Sequence, residues 1–452
     1  MKLTFLGAAS TVTGSKTLLS TDKQQVLIDC GLFQGYKNLR ALNWTALPFD
    51  AQKLDAVILT HAHLDHSGAL PLLVNQGFRG PIYATPSTIE LCHILLLDSA
   101  KLQQEEADFA NRHHTTQHPV AMPLYTVAEV KKTLRLFKPL EFNHALEISK
   151  GMSLRLRPAG HILGASSAEI TAEGKTVLFS GDLGRPNDPI MHPPAPIERA
   201  DYIVMESTYG NRMHGALDAQ AQLGEVIRRT SERGGIVVIP SFAVGRAQEL
   251  LLAIYRLKVS QSIPNLPVYL DSPMSINMTE IYQRNCQEHR LEGRECAGLG
   301  NVAKMVRTQE QSRALNKVRF PSVIVSASGM ATGGRVLHHL KTFAPNHRNT
   351  IVFAGFQAGG TRGAKIVAGE RTVRIFGEDI PINAEVVSLE GMSAHADAKE
   401  LMDWLRTTKQ APKTVFLNHG EPEAADSLRL EIKHRLGWPA MVPLLGQQVE
   451  LK

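Results

Sequence analysis

The stretch Thr60-His61-Ala62-His63-Leu64-Asp65-His66-Ser67 follows directly on the apolar run Ala56-Val57-Ile58-Leu59. That run reads as a buried strand, so four potential metal ligands, His61, His63, Asp65 and His66, crowd onto one strand end. Imidazole and carboxylate are the natural ligands of zinc-class cations, and side chains alternating through His61 and His63 can point the same way while Asp65 and His66 reach past them. A cluster this dense can hold two ions.

Working outward, other strand-like runs deliver further polar residues. Gln25 to Ile28 ends at Asp29, Leu154 to Arg157 leads to His161, Lys175 to Ser180 to Asp182, and Asp201 to Met205 to Glu206. Near the far end, Glu385 to Ser388 precedes Ser393-Ala394-His395-Ala396-Asp397, and Thr414 to Leu417 precedes Asn418-His419-Gly420-Glu421. A lone His or Asp after a strand is ordinarily a turn residue; the repetition gives these their meaning. Strands alternate with helical patterns, as in layered α/β folds. A long helix is expected over Ser87–Arg112, opened by a capping box of Ser87 and Glu90. His113, His114 and His118 fall in a polar loop and are assigned no metal.

From about Gly210 the chain reads as a second βαβ-type region: a helix over 216–233, a buried strand at Gly235 to Pro240, and strands at Val268 and Ser322. The loop Ser326-Ala327-Ser328-Gly329-Met330 precedes a helix opening at Thr332-Gly333-Gly334, an arrangement that offers backbone N–H groups to an anion. The net charge is +6. Residues 209–383 carry 22 Lys and Arg against 13 Asp and Glu, and the remainder 27 against 30, so the positive charge belongs to this region. No acid occurs between Gln311 and Gly369, which suits a polyanionic partner. The four cysteines, Cys30, Cys92, Cys286 and Cys296, form no CxxC pair; neither a disulfide framework nor a thiolate zinc site is expected, and the reading is a reducing, cytoplasmic compartment. No run is apolar and long enough for a membrane span or a signal-peptide core.

Taken in order, Asp29, the HAHLDH box, His161, Asp182, Glu206, the SAHAD box and the NHGE box resemble the motif series of the metallo-β-lactamase-fold ribonucleases of the beta-CASP group. The resemblance implies an α/β fold, an αβ/βα sandwich from residues 1–208 and 384–452, with an α/β beta-CASP domain of residues 209–383 inserted. It implies two zinc ions, one on His61, His63 and His161, the other on Asp65, His66 and His419, with Asp182 bridging and Asp29 behind the ligands. It further implies hydrolysis of single-stranded RNA, with His395 held by Glu206 as general acid, Asp65 and Asp29 supporting catalysis, and Arg246, Ser328, Gly329, Arg335, Arg362 and Ser393 contacting the phosphate backbone. A homodimer is admitted. The competing expectations are a small-molecule hydrolase of the same fold, which leaves the basic region and the last two boxes unused, and an inactive RNA-binding scaffold, which would have lost ligands.

Overall fold

A computed structural model of the 452-residue chain describes every residue except 114–117, 216–217, 356, 358 and 390. Contacts divide the chain into two compact units, Met1–Met213 with His395–Lys452, and His214–Ala394.

The first unit is built on two seven-stranded sheets. One runs, edge to edge, Gln448–Glu450, Lys2–Phe5, Thr17–Ser20, Gln25–Ile28, Ala56–Ile58, Ile82–Ala84 and Phe137–Pro139. The other runs Ala440–Met441, Thr414–Asn418, Tyr202–Glu206, Lys175–Phe179, Ser166–Ala172, Met152–Pro158 and Ala145–Ser149. Alternate residues of the two inner faces form one core: Leu3, Phe5, Val26, Ile28 and Ile58 from the first sheet meet Leu154, Leu156, Ile170, Val177, Phe179 and Phe416 from the second. The period of two in Leu3/Phe5, Val26/Ile28 and Val177/Phe179 is what a strand buried on that face requires. The Phe5 and Phe416 rings lie 5.5 Å apart across the layers; truncating a core ring of this kind costs about 3–5 kcal/mol.

Helices cover the outer faces, completing the expected α/β sandwich. The longest, Pro86–Arg112, is capped by Thr85, whose side chain accepts from the Thr88 N–H, and not by Ser87 as the capping-box reading had it. Proline explains the shift: its fixed φ and missing N–H suit the first helical turn, so the cap falls on the residue before Pro86. His114, of the histidine loop that follows, lies outside the described residues.

What positions the site is parallel pairing in the middle of each sheet. Ile28 pairs with Ile58 in one. In the other, Phe179, Val204 and Phe416 stand abreast and Glu206 pairs with Asn418. The carboxyl ends of five strands, far apart in sequence, are thereby brought side by side.

The second unit is a six-stranded, all-parallel sheet in the order Lys304–Met305, Val268–Asp271, Ser322–Ser326, Ile236–Pro240, Thr350–Phe353, Glu385–Ser388, with a separate hairpin Thr372–Ile375/Glu378–Pro381. Its central strand, Ile236–Pro240, is buried throughout, as sheets covered on both faces demand. The helix expected over 216–233 spans Ala219–Glu232, with Asp218 as its cap; Ala216 lies outside the described residues. The contact boundaries fall later than 208 and 383. Glu385–Ser388 joins this sheet beside Thr350–Phe353, and Arg233 binds the Glu385 carboxylate at 2.6 Å, so this strand packs with the inserted unit. One expectation is overturned here: Cys286 and Cys296 are joined by a disulfide. They lie on a turn and on the helix Gly293–Asn301, which the chain folds against each other, a proximity that spacing alone does not reveal.

Candidate metal centre

The centre lies wholly within the first unit and is assembled from strand ends. Asp29 leaves its strand with φ of 58°, a left-handed conformation rare outside glycine. That turn aims the carboxylate at the HAHLDH loop, where Oδ1 accepts the Thr60 N–H at 2.8 Å and the Thr60 hydroxyl at 3.0 Å. Oδ2 lies 2.7 Å from His66 Nδ1 and accepts its proton, which leaves Nε2 of His66 as the ligating nitrogen. Asp65 and His66 sit on a helical turn, Leu64–Ser67. This turn packs so closely on the Asp29 loop that a Cβ on Gly31 would stand 1.5 Å from the Asp65 carbonyl oxygen. Only glycine fits there.

Two sets of ligand atoms converge. In one, His63 Nδ1 lies 3.1 Å from His61 Nε2 and 3.2 Å from His161 Nε2. In the other, His66 Nε2 is 3.1 Å from His419 Nε2, which is 3.4 Å from Asp65 Oδ2. Between them stands Asp182. Its Oδ2 is 3.5 Å from His61 Nε2 and 3.6 Å from His161 Nε2, and its Oδ1 is 3.3 Å from His66 Nε2 and 3.4 Å from His419 Nδ1, the ring's other nitrogen. Tetrahedral zinc, with bonds of about 2.0–2.1 Å, spaces its ligands about 3.3 Å apart. Both sets match that spacing.

The electrostatics fit a cation as well. Asp29, Asp182 and Glu206 are each 2% exposed, and among the described residues no Lys or Arg is paired with them or with Asp65. Asp182 Oδ1 is buried without a hydrogen-bond partner. Burial, helped by neighbouring imidazoles, lowers the His61 and His63 pKa values and keeps these rings neutral, the form a metal needs. His66 goes the other way: burial opposes its charge, but Asp182 and Asp29 outweigh burial and hold the pKa well above its ordinary value. A proton there stands where this acid cluster calls for positive charge.

Beside the two sets, Glu206 accepts the Leu183 N–H at 2.6 Å and faces His395 Nδ1 at 3.2 Å. Burial would lower the His395 pKa, yet Glu206, then Asp182 and Asp65, bring it up to about 9. Both Glu206 carboxylate oxygens lie within 3.3 Å of Nδ1 and so fix the ring. Asp397 of the same box is structural, its side chain accepting from Glu400 N–H to cap the helix Ala398–Leu405.

Two contributors went unread in the sequence. Thr60 binds both oxygens of Asp29 and lies 3.2 Å from His61 Nδ1, and the Thr208 hydroxyl lies 3.3 Å from His419 Nδ1. The signal for Thr60 was its place between strand and histidine box, where a hydroxyl reaches the neighbouring strand end. Nothing comparable marks Thr208.

In the second unit, Ser328 and Gly329 stand on the loop after the strand Ser322–Ser326, and Arg246 opens the helix Arg246–Val259 that follows the neighbouring parallel strand Ile236–Pro240; open α/β sheets bind ligands at such carboxyl ends. Gly329 packs on Phe242, whose ring a Cβ would meet at 2.7 Å. Arg246 is 7% exposed, is paired with Glu249, and has its Nε buried without a hydrogen-bond partner. Arg335 and Arg362 are spent differently. Arg335 binds Asp271 at 2.7 Å and the carbonyls of Val306 and Arg307, and Arg362 binds the carbonyls of Ala331 and Arg374. The acid-free window concealed this because the acids come from outside it: Asp271 for Arg335, Glu378 for Lys341, Glu370 for Lys365. Ser393 lies on the segment leading back to His395.

Family models match the chain in three consecutive parts: the metallo-β-lactamase superfamily over 12–220, the Beta-Casp domain over 247–366, and the Zn-dependent metallo-hydrolase RNA specificity domain over 379–443. A ribonuclease of Thermus thermophilus is 38% identical, the alignment covering 100% of this chain and 98% of that one. The chain belongs to the beta-CASP family of metallo-β-lactamase-fold nucleases. As a beta-CASP protein it is a metal-dependent nuclease, and the small-molecule and inactive-scaffold alternatives fall away. Archaeal members are also similar: a transcription termination factor of Methanosarcina mazei is 33% identical over 96% of this chain and 69% of its own length, and that of Methanocaldococcus jannaschii 32% over 95% and 69%. A crystal structure of an Enterococcus faecalis protein of unknown function shares the fold, with a TM-score of 0.56 at 14% identity, covering 100% of this chain and 99% of that one.

Proposed function

We propose that this nuclease hydrolyses single-stranded RNA with two zinc ions, in RNA processing or decay, in the cytoplasm. The observation that carries the proposal is Asp182, whose two oxygens each face a separate set of ligand residues inside a buried acid cluster with no Lys or Arg partner among the described residues. His61, His63 and His161 would hold one ion, Asp65, His66 and His419 the other, with Asp182 shared. When bound, such a pair supplies hydroxide at neutral pH and offsets the charge of the phosphodiester.

The remaining work falls to the protein. Asp29 fixes the His66 ring by accepting from Nδ1, and Asp65 turns its carboxylate toward the same centre. His395 donates a proton from Nε2 to the leaving 3′-oxygen, while Glu206, itself held by the Leu183 N–H, stabilises the charged imidazole and sets its tautomer. In the second unit Arg246, Ser328 and Gly329 would hold backbone phosphates, and Ser393 is kept as a further contact. Arg335 and Arg362 contribute by shaping these loops. The names of the Thermus ribonuclease and the archaeal termination factors support RNA as the substrate. No helix among the described residues is long and apolar enough to cross a membrane. A homodimer remains part of this reading, to be checked by light scattering.

The test is incubation of purified protein with 5′-end-labelled single-stranded RNA, with and without chelation. A metal-dependent ladder identifies endonuclease activity and released mononucleotide a 5′-exonuclease. RNA left intact while a small activated phosphodiester is hydrolysed would remove RNA as the substrate.

A further inference from the structure

Within the inserted unit, Cys286, His289 and Cys296 form a cluster apart from the nuclease centre, with one ligand atom of each lying within 4.8 Å of the others. Cys286 stands on the turn Cys286–Glu288 that follows the helix Pro273–Arg284, His289 comes next, and Cys296 faces them from the helix Gly293–Asn301. His289 is 3% exposed, and its Nε2–H donates to the Tyr282 carbonyl at 3.0 Å. That bond sets the tautomer. The lone pair therefore lies on Nδ1, which accepts a long 3.3 Å contact from the Leu291 N–H. A backbone carbonyl holding one imidazole nitrogen while the other offers a lone pair is how metal-ligating histidines are oriented.

The two sulfurs are joined in a disulfide, and the helices on either side are also tied by other contacts. The Gln283 side chain donates to the carbonyls of Cys296 and Ala297, each at 3.3 Å, and Arg256 grips Glu295 at 2.7 and 3.1 Å. Opening the bond would leave two thiols facing each other beside an oriented imidazole. Cys286 is partly exposed, which provides a way in, whereas Cys296 and His289 are buried.

We propose that Cys286, His289 and Cys296 form a redox-controlled site for one zinc-class cation, loaded when the disulfide is reduced and emptied when it forms. A dithiol reductant supplies two electrons and two protons, becoming a disulfide and leaving two cysteine thiols. Binding of M²⁺ then displaces both thiol protons, so two thiolates neutralise the ion, a neutral imidazole supplies the third ligand, and water completes four-coordination. Oxidation by a disulfide or diazene compound takes two electrons from the thiolate pair, re-forms the sulfur–sulfur bond and releases the ion. Thiolate ligands favour zinc over magnesium or calcium. The site sits at the end of the helix that begins beside Asp271, so metal occupancy would tie that helix to Gly293–Asn301.

Cobalt(II) is the probe, because thiolate-to-cobalt charge-transfer absorption in the near ultraviolet cannot come from the histidine and carboxylate centre. Full-length protein reduced with a phosphine, then freed of it, should gain this absorption with one cobalt equivalent beyond those of the nuclease centre, and lose both on oxidation with diamide. Cys286→Ser and His289→Gln should abolish or blue-shift the band while leaving the visible bands of the nuclease centre in place. The oxidised wild type is the control that needs no substitution. The proposal fails if phosphine exposes no new thiols, if the reduced protein shows no charge-transfer band, or if the band survives in Cys286→Ser, which would place it at Cys30 or Cys92.

Discussion

Asp182 and His395 divide the work of the centre in a way that single substitutions can separate. Asp182 faces ring nitrogens of both ligand sets, so Asp182→Ala should disturb both at once and lower bound zinc from about two equivalents to less than one, read by elemental analysis of protein supplied with zinc. If wild-type protein so treated never holds more than one equivalent, the two-ion reading is wrong. His395 touches the centre only at its edge, with Nδ1 3.9 Å from Asp182 Oδ2 and turned to Glu206. His395→Ala should therefore spare the metal and lower RNA cleavage by about 10²- to 10⁴-fold, the usual contribution of a general acid. A nitrophenyl phosphodiester, whose leaving group needs little protonation, should lose much less. Glu206→Gln should give a milder copy of the same pattern, with metal content unchanged, since it acts through His395. Equal losses on both substrates would make His395 a structural residue. That these residues would gather in one place was legible in advance because each follows an apolar run, and because ligands must be His, Asp or Glu. Thr60 and Thr208 were not, since a hydroxyl at a strand end has many uses.

At the level of elements, most strands were legible because each is buried on at least one face and announces itself by an apolar run. Ile236–Pro240 and Ser322–Ser326 are examples. What the runs could not convey is which sheet a strand joins. Glu385–Ser388 reads like the strands that deliver His161 and His419, yet it pairs with Thr350–Phe353 in the inserted unit, and its Glu385 is bound by Arg229 and Arg233. Arg335 illustrates the same limit for charge. In sequence it belongs to an acid-free stretch and suggests phosphate, whereas in the fold it ties the helix Val336–Phe343 to the carboxyl end of Val268–Asp271. Asp271 is fully buried, and Ser312 and His339 share its other oxygen. Arg335→Ala would leave Oδ1 of Asp271 poorly paired and should destabilise the unit by about 3 kcal/mol, the scale of breaking a buried pair. Denaturant unfolding measures it. A variant as stable as wild type but weaker in RNA binding would return Arg335 to the list of phosphate contacts.

For the molecule as a whole, the sequence located the positive charge in the insert but gave no hint of a cation buried in the first unit. Lys16, which reads as the polar start of a strand, is 4% exposed, its ammonium donating to the carbonyls of Gly14 and Gly31 and lying 4.5 Å from the Phe33 ring centroid. It lines a cavity of about 260 Å³ with Leu6, Cys30, Leu72 and Leu445. Burial lowers its pKa to about 8, and the nearby Cys30 offsets this little, because burial pushes the Cys30 thiol up to about 12 and keeps it neutral. The consequence for stability has a definite sign. Below about pH 8 Lys16 is charged in both the folded and unfolded chain, and the folded state bears the full cost of the buried charge. Between about 8 and the ordinary value of 10.5 the folded form has lost its proton and the unfolded form has not, so the unfolded chain binds more protons and stability rises with pH. A gap of this size corresponds to about 3 kcal/mol. Other groups titrate in the same range, so the measurement is a difference: urea unfolding of wild type and Lys16→Met at a series of pH values. Methionine keeps the apolar stem and removes the charge, so its stability relative to wild type should be greatest near neutrality and fall by about 3 kcal/mol as wild-type Lys16 deprotonates. A flat difference across that interval would mean that Lys16 keeps an ordinary pKa, with its carbonyl partners and the Phe33 ring compensating the burial.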